Sequence, residues 1–177
     1  MTKQRRLTLA VSILIVPILT AIAMPASAQG NIQISGRGFA DTFPATECTN
    51  APQGFEDFTI VLEGDLMGCL YTSIGTPFEF TPSNVYDERG SEIIEACLDL
   101  NRDFVCDGDY GTFQTIYHFT SKWEGEPFFS QQIYGRCQHP IVQGMGTGIF
   151  AGATGRLDFR DDVIELDFDW KGHIKLD

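Results

Sequence analysis

Positive charge is scarce in this chain: 12 Lys and Arg stand against 24 Asp and Glu, for a net charge of −12. Nucleic-acid binding needs clustered Lys and Arg to meet phosphates, and docking on anionic lipid needs the same clusters, so neither partner fits. Helical periodicity is missing as well. There are no heptads, no sustained stripe at 3.6-residue spacing and no long repeat, which argues against bundles, coiled coils and solenoids. Three nucleophile or phosphate signatures are also absent: the G-x-S-x-G elbow, the P-loop, and a dinucleotide fingerprint followed by its acidic residue. The glycines between Gly144 and Gly155 are closely spaced, but they sit among strand-like segments with no helix behind them. Beyond the first residues, no apolar run is long enough to cross a membrane as a helix.

The beginning of the chain reads as an export signal. Lys3, Arg5 and Arg6 precede an apolar stretch from Leu7 to Ala23, and Ala26-Ser27-Ala28 forms a cleavage box before Gln29. Pro17 and that box favour cleavage over a retained anchor. Arg5-Arg6 hints at twin-arginine export, although the flanking residues match it poorly. No Cys closely follows the apolar stretch, so no lipid attachment point is present. Residues 1–28 are therefore expected to be removed, leaving 29–177 as a single domain that is secreted or periplasmic. Without the three leader cations the domain is still more acidic, which suits solubility outside the cell. Its 14 Phe, 5 Tyr and 2 Trp all lie downstream of the leader and supply enough apolar surface for a core.

All 5 cysteines (Cys48, Cys69, Cys97, Cys106 and Cys137) belong to the exported part, where disulfides form. An odd count leaves one thiol over. Cys97 and Cys106 bracket a short polar loop and are the favoured pair. Cys48 with Cys69 is the second choice, and it leaves Cys137.

The rest of the chain breaks into short alternating runs punctuated by Gly, Pro, Asn and Asp. Ile32–Gly36 opens the series. Phe58–Leu62 and Leu66–Tyr71 read as a hairpin turned at Glu63-Gly64-Asp65. Asn84–Tyr86 reads as a short strand and Glu92–Leu98 as a longer one. Thr112–Lys122 is the clearest, with Phe113, Thr115, Tyr117 and Phe119 on one face. Near the end, Ile164, Leu166, Phe168 and Trp170 alternate with Glu165, Asp167 and Asp169, the latter read as a solvated acidic face. Regular short strands of this kind build an all-β barrel or sandwich.

One segment is more specific. Gly146-Thr147-Gly148-Ile149-Phe150-Ala151-Gly152-Ala153-Thr154-Gly155 surrounds one aromatic with glycines, then leads into the alternating Arg156-Leu157-Asp158-Phe159. It reads as two strands joined by a tight corner. It also resembles the glycine-rich hairpin of the allene oxide cyclase and dirigent superfamily, with Met145 where those proteins usually carry a further glycine. The resemblance implies a small closed antiparallel barrel of about eight strands, calycin-like in shape, whose interior holds one small ligand. It further implies that the barrel steers a reactive intermediate toward cyclisation or coupling by positioning and water exclusion, with no cofactor. No catalytic position outside the glycine segment carries over.

Four constellations remain. Asp99, Asn101 and Asp103 have the alternate spacing of a calcium loop, and Asp107 and Asp109 add oxygens, within the Cys- and Asp-rich stretch 97–111. Phe104 and Tyr110 stand where an EF-hand needs Gly and Glu, so a structural calcium competes with a plain disulfide-closed tip. Cys137 and His139 share a strand face beside Arg136 and offer a thiol–imidazole pair, against the plainer reading of a buried Cys beside a bonded His. His118, His139 and His173 would make a three-His metal site only if three separate strands converged. Finally, the Phe113, Tyr117, Phe119 face and the Leu166, Phe168, Trp170 face are the ligand-pocket candidates, unless both merely fill a closed core. The leading expectation is a barrel that binds a small, mostly apolar molecule and directs its chemistry. The alternative is a noncatalytic extracellular binding or surface-interaction barrel, with oligomers open to either. Interior volume separates them: a hollow barrel favours the first.

Overall fold

The computed structural model describes residues 30–41, 47–75, 79–81, 83–165 and 167–176. The expected leader, residues 1–28, and the pocket candidate Leu166 lie outside the described residues. The strands are β1 (Ile32–Ala40), β2 (Phe58–Gly64), β3 (Leu66–Ile74), β4 (Glu79–Thr81), β5 (Val85–Leu98), β6 (Gly111–Trp123), β7 (Gln132–Pro140), β8 (Thr154–Asp162) and β9 (Asp167–Lys175). Every named pairing is antiparallel. β1 pairs with both β2 and β9, and β3 pairs with β5, so the sheet closes on itself. The wall is an eight-stranded up-and-down barrel, and β4 is a short flap on the start of β5. Closure removes the free sheet edges that would otherwise invite aggregation.

Period-two alternation fixes which side chains face inward. On β5 these are Tyr86, Glu88, Gly90, Glu92, Ile94 and Ala96, and on β6 they are Phe113, Thr115, Tyr117, Phe119 and Ser121. One half of the interior is solid. Ile34, Leu66, Ile94, Phe113, Phe150, Leu157 and Ile174 are fully buried there, and Phe113 and Phe150 meet edge to face at 4.8 Å between ring centres.

The glycine-rich segment makes that plug. It is not the tight corner its sequence suggested. Residues 141–153 form a longer connection between β7 and β8, and a single 3-10 turn at Gly148–Phe150 folds Phe150 inward. Gly148 has φ +55°, and a Cβ there would lie 2.4 Å from the Tyr110 carbonyl, so both its backbone angle and the crowding call for glycine.

Other expectations change in smaller ways. The two short runs Asn84–Tyr86 and Glu92–Leu98 are one continuous strand, because Gly90 keeps its register opposite Ile74 and Tyr117. Ile164 is 84% exposed in the turn before β9, not part of a strand. Asp167 is not on a solvated face: it is buried and paired with Arg37. Asp169 is exposed as expected.

Both favoured disulfides are present, Cys48–Cys69 and Cys97–Cys106, and Cys137 is a buried free thiol. The first ties the segment ahead of β2 onto the outer face of β3. The second staples the loop between β5 and β6. Among the described residues no helix is long and apolar enough to cross a membrane.

Candidate functional site

The other half of the barrel is hollow. A cavity of about 480 Å³ opens where β5 begins and β6 ends. Its apolar wall comes from Phe58, Ile60, Ile74, Phe119, Phe128, Phe159 and Phe168. Phe128 reaches it from the loop between β6 and β7, where its ring packs at 5.0 Å from both Tyr86 and Trp123. This volume lies within the range of small-molecule sites and is lined as they are, mostly by apolar groups with a few polar ones.

Those polar groups form two linked sets. In the first, His139 Nδ1 bonds Glu92 Oε2 at 2.5 Å, and Thr115 Oγ1 donates to the same oxygen at 2.7 Å. Glu92 and His139 are only 3% and 2% exposed. Where the Glu92 carboxylate accepts, Nδ1 is the donor of this bond. The other ring nitrogen, Nε2, is buried and has no partner among the described residues. His139 sits between the tilted ring of Phe159, 4.5 Å away, and the stacked ring of Tyr117 at 6.1 Å. In the second set, Tyr86 and Tyr117 donate their hydroxyls to the two oxygens of Glu88. Gly90 makes room for this: a Cβ there would sit 2.5 Å from the Tyr117 ring. Asp161 completes the lining and accepts from the Gln132 amide.

Burial governs the ionisation of these groups. It pushes the Asp161 carboxyl up, only partly offset by the Gln132 bond. The hydroxyls of Tyr86 and Tyr117 are raised far beyond the ordinary range by burial and then by the adjacent Glu88 carboxylate. Burial first, then Glu92, Asp161 and Glu88, push the Cys137 thiol up. Cys137 is therefore a neutral thiol. The thiol–imidazole nucleophile considered from the sequence lacks its thiolate, and the histidine is bonded to Glu92 instead.

The sequence candidates divide accordingly. Tyr117, Phe119 and Phe168 line the cavity. Phe113 lies deeper, in the solid half, and Trp170 is buried beside Phe159 with its Nε1 donating to the Arg37 carbonyl. The three histidines do not converge. His118 is on the outer face bonded to Asp87 at 2.7 Å, while His139 points inward. Among the described residues no group of three or more His, Cys, Asp or Glu side chains is placed to hold a metal ion.

In the stapled loop the carboxylates turn toward backbone amides. Asp99 accepts from the amides of Asp103 and Phe104, Asn101 from that of Asp103, Asp103 from that of Val105, and Asp107 from that of Leu100. The calcium reading finds no convergent ligand set here. Asp109 makes no part of this arrangement and no metal group.

Among the site residues that sequence reasoning passed over are Glu88, Glu92 and Asp161. Each is a carboxylate in phase with an apolar inward face: Glu88 and Glu92 with Tyr86, Ile94 and Ala96, and Asp161 with Leu157 and Phe159. A charged residue on the buried phase of a strand was the available signal. Compared with known proteins, the chain matches no family model, no curated protein and no solved structure.

Proposed function

We propose that this is an exported barrel that binds one small, mostly apolar molecule in its open half and steers that molecule's cyclisation or coupling without a cofactor. The observation that carries the reading is the cavity of about 480 Å³ with the His139–Glu92 pair buried in its wall. Aromatic walls fix the orientation of a bound molecule and keep water from it, and this positioning is a large source of rate in such chemistry. His139 Nε2 is the group within the wall that can take a proton from the bound molecule and return it, while Glu92 holds the ring and balances the imidazolium that forms. The sequence of the glycine-rich segment, which resembles the glycine-rich hairpin of the allene oxide cyclase and dirigent superfamily, supports the same assignment, and the two disulfides suit a protein that works outside the cell.

The test is a titration with the neutral fluorophore N-phenyl-1-naphthylamine. The expected result is saturable one-to-one binding with enhanced emission. Thr72 lines the cavity, and Thr72→Trp places a large ring inside it. That variant, folded by circular dichroism, is expected to lose the binding. Equal binding by both proteins would place the fluorophore on the outer surface and remove the basis for the reading.

A further inference from the structure

The cavity is rich in acceptors and poor in free donors. Among the described residues four carboxylates line it, Asp57, Glu88, Glu92 and Asp161, and no Lys or Arg does. Most side-chain donors in or beside the lining are already engaged by one of these carboxylates: Tyr86 and Tyr117 by Glu88, Thr115 by Glu92, and Gln132 by Asp161. His139 donates through Nδ1 to Glu92. What remains without a partner among the described residues is Nε2 of His139, a lining residue whose ring is 98% buried. A buried polar atom of that kind is costly unless a partner completes it.

We infer that the ligand is an organic ammonium: a mostly apolar amine whose N–H groups reach His139 Nε2 and the Glu88 carboxylate while its body lies among the rings. The inference rests on the binding reading above and names the ligand class of the same cavity.

Three features converge on it. An ammonium supplies only donors, which is what the polar wall lacks. Its positive charge complements the half-buried carboxylates of Glu88 and Asp161, which have no Lys or Arg beside them in the lining among the described residues, and partly desolvated charge gains from an opposite charge. The walls of Phe58, Phe119, Phe128, Phe159 and Phe168 present ring faces and edges around the same space, and ring faces attract cations. A carboxylate ligand would meet the reverse at each point. A neutral alcohol would complete Nε2 with one hydrogen bond and leave the charge uncompensated.

The test uses three probes with one skeleton, titrated calorimetrically into the full protein at neutral pH: 2-(1-naphthyl)ethylammonium, 2-(1-naphthyl)ethanol and 1-naphthylacetate. The ammonium is expected to bind at least about tenfold more tightly than the alcohol, the scale of one charge-assisted contact in a dry site, with the acetate weakest. In Glu88→Gln, and separately in His139→Phe, the ammonium's advantage over the alcohol is expected to shrink. Shrinkage in only one of them assigns the ammonium to that partner. Equal affinity of the ammonium and the alcohol for the unaltered protein, or tighter binding of the acetate, overturns the inference and leaves the small-molecule reading standing. An advantage unchanged in both variants also overturns it. Failure of all three probes to bind overturns both.

Discussion

Replacing His139 by Leu tests how the buried pair is held. The substitution leaves the Glu92 carboxylate, 3% exposed, with Thr115 as its sole remaining partner of the two. Stranding one member of a buried charged pair costs about 3–5 kcal/mol. Glu92→Leu instead strands the Nδ1 proton of His139 and the Thr115 hydroxyl, at about 1–3 kcal/mol for each. The double variant Glu92→Leu/His139→Leu removes both the charge and the imidazole, so only the Thr115 hydroxyl lacks its partner. Its expected cost is about 1–3 kcal/mol, below that of either single change at the upper end of its range. The coupling energy between the two positions is therefore expected to be about 2 kcal/mol or more, as for residues in one hydrogen-bonded network. The assay is urea unfolding followed by tryptophan emission, with the slope checked for constancy across the four proteins. Simple additivity, with the double variant losing the sum of the two single losses, would refute the pair as an energetic unit.

Three further outcomes follow from the same groups. Burial raises the Asp161 carboxyl, so the folded state holds its proton more tightly than the unfolded state; the penalty is absent below the ordinary value of 3.8, grows as pH rises through the raised value and is complete above it. Asp161→Asn should thus raise the melting temperature at pH 7 and do little at about pH 3; a neutral effect at pH 7 contradicts the assigned burial cost. Opening the Cys97–Cys106 staple by Cys97→Ser/Cys106→Ser removes a loop of separation 9, and chain entropy predicts a loss of about 2.5 kcal/mol in chemical unfolding; no loss would mean that the bridge strains the native loop as much as it restrains the unfolded chain. Because the carboxylates of Asp99, Asp103 and Asp107 are turned to backbone amides, the melting temperature is expected to be the same in millimolar calcium and in chelator; a rise with calcium would restore the metal reading.

The barrel was legible where alternation and glycine act locally. β6 reads off Phe113, Thr115, Tyr117 and Phe119 alone, and the β2–β3 hairpin off its Gly64-Asp65 turn. The plug was legible as glycine chemistry but not as geometry. Nothing within Gly146–Gly155 says that Phe150 turns inward onto Phe113, a residue of another strand. The split reading of β5 has a similar cause: Gly90 looks like a break until Ser73 and Tyr117 are seen on either side of it.

The site was the least legible part. Face assignment found Tyr117, Phe119 and Phe168, because wall aromatics obey the same alternation as core aromatics. It could not tell them from Phe113, since hollow and filled halves differ only in how far along the strand a residue lies. The pairing of Glu92 with His139 joins positions 47 residues apart through the register of β5, β6 and β7, which no local pattern records.

The central claim is that the open half of this barrel is a binding chamber, and a crystal structure of the protein grown with 2-(1-naphthyl)ethylammonium tests it most directly. The account predicts continuous density for the naphthalene among Phe119, Phe159 and Phe168, with the nitrogen within hydrogen-bond reach of His139 Nε2. Density confined to the outer surface, or side chains collapsed into the space now enclosed by those rings, would contradict it.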